Sequence, residues 1–128
     1  MSYYFSKITE ASFEEVLRKV ADELKEEGFG ILTEIDVRET LKKKMDVNFQ
    51  KYKILGACNP PFAYEALRVE NKIGMLLPCN VIVQELPDGK VEVAAIDPMQ
   101  SMQVVGNPKL KVVAEQVQAK LLNVIGNI

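Results

Sequence analysis

The chain contains no histidine, and this absence removes several catalytic chemistries at once. Serine–histidine–aspartate and cysteine–histidine pairs need an imidazole base, and histidine-ligated zinc enzymes need imidazole nitrogens. A phosphate loop is also missing, because Gly28-Phe29-Gly30 lacks the further glycines and the lysine of such a motif. The sequence therefore excludes these classes of enzyme, and it assigns no catalytic residue.

An excess of positive charge and long apolar stretches are missing as well. Sixteen basic residues stand against eighteen acidic residues, which gives a net charge of −2. Proteins that bind nucleic acid neutralise phosphates with a basic surface, so we expect no nucleic-acid partner. Apolar runs such as Met75–Pro78 are far too short to cross a bilayer, so we expect no membrane association.

Cysteine is used only twice, at Cys58 and Cys79, and Met1–Phe5 lacks the charged start and apolar run of a secretory signal. Both features fit the reducing cytoplasm, where a permanent disulfide is not expected. A chain of 128 residues is also long enough to bury a core without a disulfide or metal. With no linker, repeat or low-complexity segment, residues 1–128 are expected to form one cytoplasmic domain.

Two long amphipathic helices are predicted from apolar spacings of three and four residues. The first begins after Ser12, which forms a capping box with Glu15, and ends at Gly28 with a left-handed cap. The second begins at Pro108 and places Leu110, Val113, Ala114, Val117, Leu121 and Val124 on one face.

Two short helices are predicted between the strands. Asp36 and Glu39 suggest that one starts at Val37 and runs to Met45, with Leu41 and Met45 facing inward. Asn59 as a cap and Pro60 in the first turn suggest another that runs to about Val69. Its core-facing residues are expected to be Phe62, Ala66 and Leu67.

Alternating polar and apolar residues predict the strands, at residues 3–8, 29–37, 52–57, 80–86 and 91–96. The turn Pro87–Lys90 makes the last two a hairpin. Residues 99–107 are expected to form a loop or a single turn, with Met99 and Met102 filling the core. Because alternation indicates a sheet with one wet face, the pattern favours an antiparallel α+β fold over a doubly wound one.

Four segments carry a resemblance to a known family: GFGILTEIDV (28–37), YKILGACNPP (52–61), IGMLLPCNVIV (73–83) and VEVAAIDP (91–98). In this order, over nearly the whole chain, they resemble the bacterial and archaeal domain-of-unknown-function 302 (DUF302) family. The resemblance implies a fold similar to the TATA-binding-protein-like class. That fold has β-α-β4-α order, with about five antiparallel strands, two long helices on one face and the short helices as insertions. It also implies a homodimer, but no catalytic residue, substrate or DNA binding.

Each cysteine is followed by asparagine at a point where a strand meets another element. Cys58 ends the third predicted strand just before Asn59 and Pro60, and Cys79 begins the fourth just before Asn80. If these strands are antiparallel neighbours, the two thiols lie close together. The sequence therefore predicts a small-molecule pocket lined by Cys58, Asn59, Pro60, Cys79 and Asn80.

Several alternatives remain open for the two thiols. Buried cysteine often packs as a small hydrophobic residue with no chemical role. A helix N-terminus with free backbone donors could instead lower the pKa of Cys58 and make it a nucleophile, with Cys79 as its resolving partner. A metal ion is also possible, but a closed zinc site needs four ligands. Either a dimer would pool four cysteines, or carboxylates such as Asp36, Glu85 or Asp97 would complete the site.

A further possibility is a protein–protein interaction module that uses the open sheet face or a dimer surface. A large exposed apolar area would favour it.

Overall fold

The computed structural model describes residues 2–128, which form a five-stranded sheet and its helices. In chain order the elements are β1 (Tyr4–Thr9), α1 (Phe13–Glu26), β2 (Gly30–Asp36), α2 (Val37–Met45), β3 (Tyr52–Cys58), α3 (Pro60–Val69), a 3₁₀ turn (Ile73–Leu76), β4 (Cys79–Glu85), β5 (Val91–Ile96), α4 (Pro98–Ser101), a second 3₁₀ turn (Gln103–Val105) and α5 (Pro108–Gly126). The predicted α+β class is confirmed.

The sheet has the strand order β1-β5-β4-β3-β2, and every neighbouring pair is antiparallel. The predicted hairpin joins β4 to β5, and β3 and β4 are neighbours along their whole length. Their register places Ala57 opposite Cys79 and Gly56 opposite Asn80. The end of β3 therefore lies beside the start of β4, at the point where the sequence places the two Cys-Asn pairs.

The two long helices supply the apolar face that covers the sheet. The largest side chains with almost no exposed surface include Leu24 on α1, Leu110 and Leu121 on α5, and Ile73 of the first 3₁₀ turn. Buried valines of α1, β4, β5 and α5 join them: Val16, Val20, Val81, Val83, Val91, Val93 and Val124. Full burial of one such side chain contributes roughly 1.5–3 kcal/mol. This shared core therefore holds α1 and α5 against the strands.

Local signals set the ends of the helices as predicted. Ser12 Oγ accepts a hydrogen bond from the Glu15 backbone N–H at 3.2 Å, and Asp36 Oδ1 accepts one from the Glu39 N–H at 2.9 Å. Gly28 follows α1 with φ of 88°, which is a conformation that glycine adopts without strain. Within residues 2–128, the helices are all too short or too polar to cross a bilayer.

The predicted inward faces of the two short helices are partly wrong. Met45 on α2 is 66% exposed and Leu67 on α3 is 42% exposed, whereas Leu41 and Phe62 are partly buried. Among residues 37–45 none is buried, and among residues 60–69 Ala66 alone is buried. Short helices offer several apolar residues at helical spacing, but only those that reach the sheet or α5 become covered.

The sheet face opposite α1 and α5 is called the open face. Strand alternation and register assign to it Tyr4, Ser6, Ile8, Thr33, Ile35, Tyr52, Ile54, Asn80, Ile82, Gln84, Glu92, Ala94 and Ile96. Tyr4, Ile8 and Ile35 are exposed to solvent. As predicted, one face of the sheet is not covered by the long helices, but this face is more apolar than a solvent-exposed sheet surface requires.

Gly56 occupies a tightly packed position on the open-face side of β3. A Cβ atom built there would overlap Thr33 Oγ1 on β2 and would lie 2.7 Å from Pro78 Cγ. Neighbouring β2 also contains an irregularity between Ile31 and Thr33. Only a residue without a side chain lets β2, β3 and the start of β4 approach this closely.

Candidate functional site

Cys58, Asn59 and Cys79 meet at a small apolar crevice between α3 and the ends of β3 and β4. We call it the thiol crevice; its lining is Phe29, Ala57, Cys58, Asn59, Phe62, Ala63, Ala66, Leu77, Pro78, Cys79, Met102, Val113 and Val117. Its volume is about 30 Å³. A space of this size holds one or two water-sized groups.

The two thiols differ in position and in exposure. Ala57 faces Cys79 across the β3–β4 ladder, so Cys58 lies one residue further along β3. Both are free thiols, Cys79 buried and Cys58 half-buried. Because successive side chains of a strand alternate, the ladder assigns Cys58 and Cys79 to opposite sides of the sheet, and both residues line the crevice where β3 ends.

Burial, with a smaller contribution from nearby Cys58, raises the pKa of the Cys79 thiol to about 11. At pH 7 only about one Cys79 in 10⁴ is then a thiolate. Cys79 is therefore a neutral thiol in the unliganded protein.

Asn59 occupies the N-cap position of α3, but its side chain makes no capping hydrogen bond. The expectation of a side-chain cap is wrong, because Asn59 Nδ2 instead donates to the backbone carbonyl of Glu27 at 3.0 Å. That carbonyl belongs to the end of α1, where backbone acceptors lack helical partners. Asn59 thus ties the start of α3 to the end of α1, and it is only 7% exposed.

The first turn of α3 offers little to a bound anion. Pro60 and Pro61 have no N–H group, and the N–H groups of Phe62 and Ala63 both donate to the Asn59 carbonyl. Among residues 59–63, the free backbone donors that the sequence suggested next to Cys58 are therefore reduced by the two prolines.

Pro60 and Asn80 lie outside the lining of the thiol crevice. Pro60 is exposed at the first position of α3, and Asn80 is exposed on the open face, paired with Gly56. The alternation of β4 explains the position of Asn80, because Cys79 points inward and its neighbour must point outward. The ligand-binding role of all five predicted residues stays a prediction.

Met102 is the crevice residue that sequence reasoning did not connect with the thiols. It follows α4, is buried as expected for a core methionine, and reaches the crevice together with Val113 and Val117 of α5. Residues 99–107 carry no periodic pattern, so no signal in the sequence indicated which part of the core they would meet.

The helix that walls the crevice is held at its two ends and along its inner face. Asn59 ties its start to Glu27, and Asn107 Nδ2 donates to the Val69 carbonyl at 2.9 Å at its end. Between these ties Ala66 is the one buried residue of the range 60–69, and partly buried Phe62 and Val69 pack against the hydrophobic core. Two hydrogen bonds and the apolar inner face therefore anchor the wall of the crevice.

Of the three carboxylates that could have joined the thiols, Asp36 and Asp97 have other roles, and Glu85, at the far end of β4 from Cys79, does not line the crevice. Asp36 caps α2, and buried Asp97 accepts hydrogen bonds from the Met99 N–H at 2.9 Å and from Gln118 Nε2 at 3.1 Å. Within residues 2–128, no three side chains among histidine, cysteine, aspartate and glutamate form a group able to hold a metal ion.

Larger grooves lie elsewhere on the surface, two of them with volumes of about 400 Å³ or more. One, of about 400 Å³, follows the open face; it is lined by Tyr3, Tyr4, Tyr52, Asn80, Ile82, Gln84, Glu92, Ala94, Ala95 and Ile96. Gln84 Nε2 donates to Glu92 Oε1 at 2.8 Å there. Burial raises the pKa of Tyr52, with further contributions from nearby Tyr3 and Glu92. The other groove, of about 480 Å³, separates the α4 segment from α5.

Comparison with known proteins places the chain among relatives of similar fold. The family model described as "Domain of unknown function DUF302" matches residues 5–128. A crystal structure of an uncharacterized conserved DUF302 protein from Bacillus stearothermophilus superposes with a TM-score of 0.92. It shares 25% sequence identity over 99% of this chain and 98% of that chain. No curated protein shows significant sequence similarity.

Proposed function

Because the chain belongs to the DUF302 family, whose function is unknown, we propose from its own residues that it is a homodimeric protein that binds a small ligand in the thiol crevice. The observation that carries the proposal is that Cys58 and Cys79 both line one apolar crevice beneath α3. The thiols are the distinctive chemical groups of that crevice.

The composition of the crevice favours binding over catalysis. Apart from the two thiols and the Asn59 amide, its lining is apolar, and the amide already donates to Glu27. A general acid or base must lie within hydrogen-bond distance of the reacting group, and the lining contains no carboxylate, lysine or histidine. A ligand held there would be recognised by its fit to the apolar walls and by contacts with the sulfur atoms of the crevice.

The size of the crevice limits what can enter. At about 30 Å³, it accepts an atom-sized ligand as it stands, whereas an organic molecule requires α3 to move. Such a movement would have to displace Phe62 and Ala66, which pack on the core between the ties at Asn59 and Asn107.

The test is native mass spectrometry of the protein purified without chelator or reductant. We expect the wild-type protein to carry a bound mass, and we expect Ala63→Phe, which fills the crevice, to lose it. Ala119→Phe is the matched control, because Ala119 is exposed on α5 and does not line the crevice. A bare chain mass in wild type, or the same bound mass in both variants, contradicts the proposal.

We propose that the open face forms the homodimer. Five strands about 4.8 Å apart and about six residues long cover roughly 24 by 20 Å, or about 500 Å² per copy. Two such faces bury about 1,000 Å², the lower limit for a specific interface. Tyr4 and Ile8 on one edge strand and Ile35 on the other are exposed apolar residues of this face, and exposed apolar surface favours an interaction site.

Light scattering after size-exclusion chromatography tests this interface. We expect a wild-type mass of twice the 14.4 kDa chain and a monomer mass for Ile82→Glu, which places a charge in the middle of the open face. Val104→Glu adds the same charge at an exposed residue outside the sheet and should remain dimeric. If Ile82→Glu remains dimeric, the dimer interface lies elsewhere on the protein.

A thiol redox role is the second candidate, favoured by the half-buried position of Cys58 beside buried Cys79. Hydrogen peroxide would convert the two thiols into a disulfide, with both thiol hydrogens leaving in water. The strand register and the high pKa of Cys79 oppose this reaction. An intact mass that falls by two hydrogens under mild peroxide treatment would support it, and separate sulfenic acid products would not.

A further inference from the structure

We propose that the thiol crevice is a binding site for copper(I), with the sulfur atoms of Cys58, Cys79 and Met102 as its ligands. The inference rests on the proposed function, since it names the ligand of the same crevice. It adds Met102, a residue that the sequence did not connect with the cysteines, and it replaces an unspecified small ligand with a soft monovalent cation.

The donor atoms select the metal. Thiolate and thioether sulfurs are soft ligands that favour copper(I), and the lining of the crevice contains no imidazole or carboxylate that would suit other ions. Closed zinc sites use four ligands drawn mainly from cysteine and histidine, whereas this chain contributes two cysteines and a thioether. Calcium and magnesium need oxygen ligands.

The dimensions of the crevice also fit an ion. Its volume of about 30 Å³ matches one dehydrated cation and excludes an organic molecule while α3 stays closed. Phe29, Phe62, Val113 and Val117 surround the sulfurs with apolar surface. Such a shell keeps water away from a bound metal and limits its oxidation.

The exposure of the three sulfur residues suggests how the ion enters. Cys58 is half-buried, whereas Cys79 and Met102 are buried at the inner side. Copper(I) would first meet Cys58 and then move inward to the other two sulfurs. Binding forms two copper–thiolate bonds and one copper–thioether bond, and the two thiol protons leave to solvent. Copper stays in the +1 state throughout, so no oxidant or reductant is consumed.

The experiment is an anaerobic competition between the purified protein and the chromogenic copper(I) chelator bicinchoninate. We expect one copper(I) per chain in wild type and at least a 100-fold weaker affinity in Cys58→Ala and in Cys79→Ala. Met102→Leu conserves side-chain volume and should fold normally, yet should weaken binding at least tenfold. Met75→Leu is the matched control, because Met75 is 80% exposed and does not line the crevice.

Several results would overturn the inference. The inference falls if the wild-type protein fails to remove copper(I) from the chelator, or if Met102→Leu and Met75→Leu bind copper(I) equally tightly. One copper(I) ion bound per two chains, or zinc bound as tightly as copper(I), would also overturn it. If copper(I) fails but native mass spectrometry still finds a ligand that Ala63→Phe removes, the proposed function stands and the copper inference falls. If both measurements fail, the crevice is not a binding site.

Discussion

Replacing Gly56 with alanine is expected to destabilise the fold because β2, β3 and the start of β4 leave no room for a side chain there. The added Cβ would overlap Thr33 Oγ1, lie 2.7 Å from Pro78 Cγ and lie 3.5 Å from Thr33 Cβ. Thr33 can rotate its hydroxyl away, whereas the ring of Pro78 can move its Cγ atom only by the small displacement of a change in pucker. The proline contact therefore decides the cost.

The expected loss is about 1–3 kcal/mol in the free energy of unfolding, the usual range when an extra carbon is forced into a packed site. Thr33→Ala removes only one of the two close contacts. We therefore expect the Thr33→Ala/Gly56→Ala double variant to recover part of the loss relative to Thr33→Ala alone, but not all of it. Such partial coupling is typical of residues that share one packing site.

Urea denaturation followed by circular dichroism measures these differences. Gly30→Ala is the matched control: Gly30 lies on neighbouring β2, and a Cβ there meets no atom within 4 Å. Alanine at that position restricts the unfolded chain and is expected to be neutral or slightly stabilising. The reasoning is refuted if Gly56→Ala and Gly30→Ala differ by less than about 0.5 kcal/mol, because surface-like substitutions fall within that range.

Three further predictions follow from the crevice and its surroundings. Asn59→Ala should lower the free energy of unfolding by about 1–3 kcal/mol, because it leaves the Glu27 carbonyl without its donor. The control Asn71→Ala changes an exposed residue and should leave the free energy of unfolding unchanged. Equal urea midpoints for the two variants would contradict this prediction. Iodoacetamide should alkylate Cys79 very slowly at pH 7, and the rate should rise about tenfold per pH unit up to about pH 11. If the rate instead reaches a plateau near pH 8.5, as it does for an ordinary thiol, Cys79 is not a buried neutral thiol. Burial raises the pKa of Cys79 from 9.0 to about 11, so the stability that its neutral form contributes is complete below pH 9 and is lost as the pH rises to 11. Wild-type protein should therefore lose about 2–3 kcal/mol more than Cys79→Ala over that interval in urea denaturation, and parallel pH profiles would disprove the linkage.

The sequence was sufficient for the elements whose signals are local. The spacing of Phe13, Val16, Val20 and Leu24, together with the Ser12 cap, determines α1 almost completely, and these four residues are buried. The turn Pro87–Lys90 likewise determines the β4–β5 hairpin, because its turn residues lie between two alternating segments. In both cases the physical cause acts within a few residues of the chain.

The candidate site depends on contacts that are distant in sequence. Met102 and Val117 reach the crevice from segments that follow the whole sheet, and Asn107 ties down a helix that ends at Val69. From the sequence, the Asn59 side chain could accept a hydrogen bond from the first turn of α3 or donate one to the end of α1. Glu27 becomes the partner only because the tertiary fold brings the end of α1 to the start of α3, and this arrangement is not encoded within either segment.

The strand order has a consequence for the time course of folding. Strands β2 to β5 pair in sequence order, as β2–β3, β3–β4 and β4–β5, whereas β1 lies at the edge of the sheet and pairs with β5, so Tyr4 lies opposite Ile96. Pairings between distant segments carry a larger loop-closure entropy and generally form late. During synthesis β1 leaves the ribosome long before β5 exists, and α1 emerges before most of the strands that it will cover. The apolar face of α1 must therefore remain exposed until the four sequential strands have assembled, and β1 completes the sheet.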